Sequence, residues 1–397
     1  MKIKEVKTFV VDCFRTNWVF VKIVTDEGLY GIGEGTLEYK EDTLVSAIHD
    51  LEYGLIGKDP LNTELLWHDN YRDAYWRGGP VFMSALAAVD QALWDLKGKY
   101  LNCPVWQLLG GKVRDKVPCY ANGWFSRKGQ AGSLEPEEFA ACAEEEIGNM
   151  HWKGLKWDPF GSAWRQLTLP EMKRALKCVE KVKEVVGDKC DILIECHGRF
   201  DLPCALELSR QLEPYGVKWM EEPVIPDSLE AYAEFRRHSR VSVSGGERLY
   251  SLQQFRTAIS MNAFDYLQPD VSHAGGLTEV KKIAALADCQ HLPICCHNPS
   301  GPVANAATLA FAASTPLYFY HETMSQDVTW RREVCNEDVR VEDGFMYIND
   351  RPGLGVDIDE KECVKHPFRP THLRHYVGTL TQVRPDDATS YYSSKKQ

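Results

Sequence analysis

The chain has 397 residues, 44% hydrophobic and 26% charged, an ordinary balance for soluble globular protein and long enough for two domains. Its net charge of −11 argues against a nucleic-acid surface and leaves any anionic substrate to be drawn in by local charge. No apolar run approaches the roughly 18 residues of a membrane span, no leader is recognised, and the 13 cysteines lack C-x-x-C spacing; a cytoplasmic protein with mostly buried thiols, Cys295 and Cys296 among them, is expected, with neither nucleic acid nor membrane as partner.

Residues 1 to about 35 alternate apolar and polar (K-I-K-E-V-K-T-F-V-V, then N-W-V-F-V-K-I-V) around T-D-E-G, which predicts an antiparallel meander. Helical spacing follows at roughly 41 to 54, 61 to 76 and 81 to 99, the last rich in Ala and Leu. From residue 117 the rhythm changes. V-P-C-Y-A-N-G-W and G-L-K-W-D read as strands, the second carrying Lys156 and ending on Asp158. Three short apolar runs, D-I-L-I-E, V-K-W-M-E-E-P and V-S-V-S-G-G-E, then bring in Glu195, Glu221 and Glu247 at a constant interval of 26 residues, the length of one strand plus one helix. The period continues through F-D-Y-L-Q-P-D to Asp270, P-I-C-C-H to His297 and L-Y-F-Y-H-E-T to Glu322. That makes eight strands with seven helices between them, and no amphipathic helix follows the last strand. The expected fold is α/β: a (β/α)7β TIM-like barrel over 117–352, an α+β capping domain over 1–116, and a return to the cap over 353–397. This last part begins P-G-L-G-V-D-I-D and ends in D-D-A-T-S-Y-Y-S-S-K-K-Q, a polar run with too little apolar surface to order itself.

In a parallel βα barrel the carboxyl ends of the strands meet on one face, where such barrels place their active sites. A single glutamate there would be a solvated loop residue. Three in register would repel one another unless a hard cation held them, and an oxygen-only set suits Mg2+. His197, two residues beyond Glu195, shares its face if the strand persists. His297 follows on the strand next to that of Asp270, and an aspartate beside a histidine orients the ring and raises its basicity, as proton abstraction requires. A cation that chelates a substrate carboxylate also stabilises the enediolate formed when the neighbouring carbon loses its proton. Lys156, with Arg199, is placed to neutralise the remaining carboxylate oxygen. Glu322, kept protonated by the surrounding negative charge, could donate to the developing oxyanion.

These residues, together with A-L-W-D-L-K-G-K, P-V-W-Q-L-L-G-G, E-C-H-G-R-F, E-E-P-V, G-G-E-R-L, L-Q-P-D-V-S-H-A-G-G, H-N-P-S-G-P, H-E-T-M and P-G-L-G-V, resemble the enolase superfamily over nearly the whole chain. The resemblance is to its mandelate-racemase-like branch, which contains galactonate and gluconate dehydratases. It implies magnesium-assisted enolisation, metal ligands Glu195, Glu221 and Glu247, a base formed by His297 with Asp270, an acid at His197 and an electrophile at Glu322. It also implies a homo-oligomer, since relatives commonly assemble. Two departures stand out. Glu195 occupies a place more often held by Asp, adding roughly 1.5 Å of reach. Asp158, counted with Lys156, Arg199 and Trp18 among the candidate substrate-binding residues, stands where racemases of the branch carry a second lysine base. A racemase needs a base on each face of the carbon, whereas a dehydratase needs one base and an acid. The leading expectation is therefore a magnesium-dependent acid-sugar (aldonate) dehydratase giving a 2-keto-3-deoxy acid. An epimerase using His197 as second base and a non-catalytic sugar-acid-binding relative remain as alternatives. The sugar itself is not named by the sequence. Cap loops at 15–18 and 36–40 suit a polyhydroxy chain, and Trp18 and Trp330 could line the site or pack in the core.

Overall fold

The N-terminal alternation folds as a meander of β1 (Ile3–Asp12), β2 (Asn17–Thr25) and β3 (Tyr30–Glu34), paired antiparallel in that order. In the computed structural model, which describes residues 1–125, 134–370 and 389–390, this sheet packs on α1 (Glu41–Leu55), α2 (Thr63–Asp73) and α3 (Pro80–Tyr100). Val19, Val21 and Ile23 meet Leu44, Ile48, Ala88 and Leu93 in one apolar cluster. The Ala-rich face of α3 has its counterpart in β3: a Cβ on Gly31 or Gly33 would lie 2.0 Å from the carbonyl oxygens of Ala92 and Ala88, so glycine is what lets helix and strand backbones touch.

After the short α4 (Val105–Leu108) the chain alternates strand and helix. These are β4 (Lys116–Asn122), α5 (Pro136–Met150), β5 (Gly154–Trp157), α6 (Leu169–Val186), β6 (Asp191–Glu195), α7 (Leu202–Leu212), β7 (Trp219–Glu221), α8 (Leu229–His238), β8 (Val243–Gly245), α9 (Leu252–Ser260), β9 (Tyr266–Leu267), α10 (Leu277–Asp288), α11 (Pro302–Ala313) and β10 (His321–Met324). Several helices start where the sequence supplies a cap: Thr168 with Glu171 opens α6 and Ser251 with Gln254 opens α9, each as a reciprocal capping box. Strands β4 to β9 pair in parallel in sequence order. Parallel bridges continue from Leu267 to Ile294 and from Ile294 to Tyr318, and β10 pairs in parallel with β4, so main-chain pairing runs round all eight positions. Among the described residues no barrel helix follows β10. The chain passes instead through β11 (Gln326–Asp327), α12 (Arg331–Val334) and the hairpin β12 (Val341–Glu342) and β13 (Phe345–Tyr347), whose second strand lies antiparallel on the start of β4.

From residue 353 the chain lies against the N-terminal unit. Gly353 bridges to Pro104, the amide of Asp12 donates to the His366 carbonyl at 2.9 Å, and α13 (Glu360–Lys365) packs on β1. The polar run at 386–397 is not wholly without structure: β14 (Thr389–Ser390) pairs with β11, because main-chain hydrogen bonding to a neighbouring strand needs no apolar side chain. The rest of that run lies outside the described residues. Glu34, at the end of β3, joins cap to barrel. Its carboxylate accepts the amides of Gly301, Val303 and Ala304 at 2.7, 3.1 and 2.9 Å, capping α11 where the helix dipole favours negative charge.

Inside the barrel, Tyr120, Leu193, Trp219, Cys295 and Tyr320 form a cluster of their own. Each precedes by two a residue at the site: Asn122, Glu195, Glu221, His297 and Glu322. Alternate strand residues share a face, so this largely aromatic layer is the floor on which the polar layer stands.

Candidate active site

Glu195 and Glu221 are direct register partners across β6 and β7, and Glu247 joins them from the turn after β8. The three offer carboxylate oxygens all within 4.8 Å of one another. Glu322 adds a fourth carboxylate. Against these stands one ammonium: Lys156 Nζ lies 2.7 Å from Glu221, 2.8 Å from Glu322 and 3.4 Å from Glu195. Burial, with the charge of Glu195 beside it, pushes the Glu221 carboxyl well above its usual range, and burial pushes Glu195 up to about 7 even with Lys156 opposing. A divalent cation matches this residual negative charge, and three close carboxylate oxygens are the donor set a hard cation takes.

Two imidazoles face the same cavity. His297 Nδ1 is 2.7 Å from Asp270 Oδ2, Asp270 Oδ1 accepts the Ser272 amide at 2.6 Å, and His297 Nε2 is 3.6 Å from Glu247. Burial alone would lower this imidazole, but the charge of Glu247 and the bond to Asp270 outweigh it and hold His297 well above its ordinary value. His197 Nδ1 is 2.7 Å from Asp158 Oδ2. Burial is the main influence here and takes the imidazole down to about 4, Arg248 and Lys156 adding to it against Glu247. His197 does not arrive by strand alternation, as expected, because β6 ends at Glu195. A left-handed turn (φ +50°), with the His197 amide donating to Glu195 Oε1 at 2.7 Å, swings the ring to the cavity.

The cavity, about 480 Å³, has Lys156, Asp158, Glu195, His197, Glu247 and His297 in its wall. Other placements differ from the sequence expectation. Arg199 is fully buried behind the wall, donating to the carbonyls of Cys196 and Gly161 at 3.1 and 2.7 Å and to Asp158, so it braces Asp158 and does not reach a substrate carboxylate. Asp158 itself faces His197, Arg199 and the Phe160 amide. Trp18 is 1% exposed and packs beside Phe20 and under Gly301, where a Cβ would come within 2.8 Å of its ring; it belongs to the core and not to the wall. Trp330 stacks on His366 and donates to the Asp12 carbonyl at 2.8 Å. Lys156 lines the cavity with its ammonium directed at protein carboxylates. Glu322 is not the protonated donor expected. Burial favours the neutral acid, but Lys156 and His297 outweigh it and hold the carboxyl below its usual range, and its oxygens accept from Asn122 Nδ2 and the Asn298 amide, both at 2.9 Å.

Sequence reasoning passed over Arg248, which lines the cavity and lies 3.0 Å from Glu222 and 3.1 Å from the His197 carbonyl. Its place directly after Glu247 was the available signal. Asn122 ends β4 as a polar residue above Tyr120, and His273 follows Asp270 by one helical step, 3.5 Å from its Oδ2; neither spacing alone separates a site residue from a loop residue.

Residues 4–110 match the family described as mandelate racemase / muconate lactonizing enzyme, N-terminal domain, and residues 138–362 match the enolase C-terminal domain-like family. The chain belongs to the mandelate racemase-like branch of the enolase superfamily. It is 36% identical over 398 residues to a D-galactonate dehydratase of Cronobacter sakazakii (strain ATCC BAA-894), covering 96% of this chain and 100% of that one. It is also 36% identical over 374 residues to a D-galactonate dehydratase of Klebsiella pneumoniae (strain 342), covering 91% and 94%. Among solved structures, a member of the enolase superfamily from Salmonella Typhimurium superposes with a TM-score of 0.86 at 28% identity, covering 92% of this chain and 98% of that one. A mandelate racemase/muconate lactonizing enzyme-like protein from Roseovarius sp. TM1035 superposes with 0.85 at 28%, covering 93% and 96%. Among the described residues no helix is long and apolar enough to cross a membrane.

Proposed function

We propose that this enzyme is an acid-sugar dehydratase, a hydro-lyase that removes water across carbons 2 and 3 of an aldonate to give a 2-keto-3-deoxy acid. The observation that carries the reading is the convergence on one cavity of three mutually close carboxylates with a carboxylate-backed imidazole, His297–Asp270, and a second imidazole, His197. The likeness to D-galactonate dehydratases supports the same class.

Glu195, Glu221 and Glu247 would hold a divalent cation, Mg2+ in this proposal, whose chemistry is to neutralise the charge that develops on the substrate carboxylate as carbon 2 loses its proton. Asp270 holds the Nδ1–H of His297 and so turns Nε2 toward the substrate, where the ring accepts a proton in its neutral form, after losing the one that Glu247 and Asp270 favour on it. Lys156 offsets part of the repulsion between Glu221 and Glu322. His197, oriented by Asp158, is placed to give a proton to the departing carbon-3 hydroxyl, for which Nε2 must first take one up, since burial keeps the imidazole neutral in the fold by itself. Water leaves, and the resulting enol tautomerises to the 2-keto acid. Acid-base help of this kind contributes typically about 10²- to 10⁴-fold.

A screen of aldonates with Mg2+, read by formation of 2-keto-3-deoxy acid and repeated with EDTA, tests the proposal. Product that requires the cation is expected. Exchange of the carbon-2 proton with solvent in the absence of product would favour the epimerase alternative, and heat of binding with neither would favour a non-catalytic role.

A further inference from the structure

We propose that His273, held by Ser84 of the cap helix α3, is a positioning residue for proton abstraction: it shares with His297 the Asp270 oxygen that orients the base, so the seating of the cap sets the geometry of the barrel's proton acceptor. This inference deepens the reading of His297 with Asp270 as the base and rests on it.

Asp270 lies in the loop that joins β9 to α10, and this loop runs along the cap. Trp67 Nε1 of α2 donates to the Gly275 carbonyl at 2.7 Å, and Asp90 of α3 accepts the Thr278 amide at 3.0 Å. Gly276 has left-handed backbone (φ +83°), and a Cβ there would lie 2.4 Å from Asp90 Oδ2, so the loop is pressed onto α3 at a point where only glycine fits. Between these anchors and Asp270 stands His273. Its Nδ1 is 2.9 Å from Ser84 Oγ, its amide donates to the Asp270 carbonyl at 3.1 Å, and its Nε2 is 3.5 Å from Asp270 Oδ2. Ser84 is fully buried, and His273 reaches the cavity wall.

These contacts decide where the ring's proton lies. An ionised carboxylate only accepts, so Nε2 carries a proton toward Asp270 whether the imidazole is neutral or charged, and in the neutral ring Nδ1 accepts from the Ser84 hydroxyl. Asp270 Oδ2 is therefore shared, with His297 Nδ1 at 2.7 Å and His273 Nε2 at 3.5 Å, while Oδ1 takes the Ser272 amide at 2.6 Å. Burial alone would raise the Asp270 carboxyl, but His273 and the bond to His297 outweigh it and keep it below its usual range. A ring kept only for packing could be exchanged for an apolar side chain of similar size. A ring that holds the carboxylate by its N–H could not.

The test compares the parent with Ser84→Ala, His273→Leu, the two combined, and His273→Gln, each checked for the parent's melting curve, on an aldonate with saturating Mg2+. His273→Leu should lower kcat and exchange of the carbon-2 proton in D2O together by about 10- to 100-fold, the order lost with an outer partner of a working side chain, while KM stays within a fewfold of the parent. Ser84→Ala should lower both by about three- to tenfold, the contribution of one neutral hydrogen bond. Adding it to His273→Leu should cost nothing more, because Ser84 acts through the ring. His273→Gln, whose amide nitrogen stands where Nε2 does, should recover most of the loss. Parent-like kcat in His273→Leu, a loss confined to KM, additive losses from the two sites, or a glutamine variant as poor as the leucine one overturns the proposal. Nuclear magnetic resonance of protein carrying isotope-labelled histidine needs no turnover: the His297 Nδ1–H signal, identified by its absence from His297→Asn, should move in both His273→Leu and Ser84→Ala. If the parent exchanges the carbon-2 proton without dehydrating, the dehydratase reading fails alone and the exchange rates decide the proposal. If it does neither, a moved signal upholds the positioning role and an unmoved one overturns it.

Discussion

Asp270→Asn is the sharpest test of the His297 dyad, because the structure determines which way the new amide must point. Asp270 Oδ1 accepts the Ser272 amide at 2.6 Å and Oδ2 faces His297 Nδ1 at 2.7 Å. With the asparagine oxygen toward Ser272, its NH2 faces His297 and can be satisfied only if Nδ1 becomes an acceptor. The ring proton then sits on Nε2, where the base must be empty. Turning the amide over would restore the useful tautomer but set the Ser272 N–H against an NH2, leaving a buried donor unsatisfied at about 1–3 kcal/mol. Each 1.4 kcal/mol is tenfold in population, so the competent rotamer would be a minority of roughly one in 5 to one in 150. If it alone turned over, kcat would fall by that factor, and a ring trapped in the wrong tautomer would extend the loss toward about 10⁴-fold. The triad is untouched, so KM and metal affinity should stay within a fewfold of the parent. Steady-state kinetics and exchange of the carbon-2 proton in D2O should fall together. A variant retaining both within threefold would refute the assignment of His297 as base.

Glu221→Gln should weaken Mg2+ by more than 100-fold in calorimetry, since it removes one of three buried charges from the site; parent-like affinity would mean that the cation binds elsewhere. His197→Asn should lower dehydration by about 10²- to 10³-fold while leaving measurable carbon-2 exchange, and loss of both to the same extent would deny it a separate acid role. Burial raises Asp90, a residue of α3 that is 1% exposed and accepts the Thr278 amide, to about 7. The folded protein thus keeps a proton that the unfolded chain releases above its ordinary value near 4, and this contribution to stability is lost as pH rises from about 4 to 7, on the order of 1.4 kcal/mol per unit. Asp90→Asn should therefore melt higher relative to the parent at pH 8 than at pH 5, and a pH-independent difference would show that Asp90 is ionised in the fold.

What the sequence determined by itself was the repeat and what stands at its ends. A βα unit has a length set by local geometry, so an interval of 26 residues between Glu195, Glu221 and Glu247 implies consecutive parallel strands, and the register of Glu195 on Glu221 follows. Asp270 and His297 were legible for the same reason, since each ends a strand and neighbouring strands set them side by side. Alternation within a strand accounts for the layer under the site, Tyr120, Trp219 and Tyr320, once the structure shows which face each strand turns inward. Tertiary structure alone decided what happens once a strand has ended. His197 reaches the cavity through a left-handed turn, while Arg199, two residues on, turns to backbone carbonyls and Asp158 behind the wall. Trp18, although on a regular strand, lies under Gly301 of a loop nearly 300 residues away, a contact no local pattern encodes. The charge of Glu322 was likewise undecidable from its neighbours in sequence. Whether a buried carboxyl keeps its proton depends on the sum of desolvation and nearby charge, and the two groups that tip that sum, Lys156 and His297, come from other strands of the barrel.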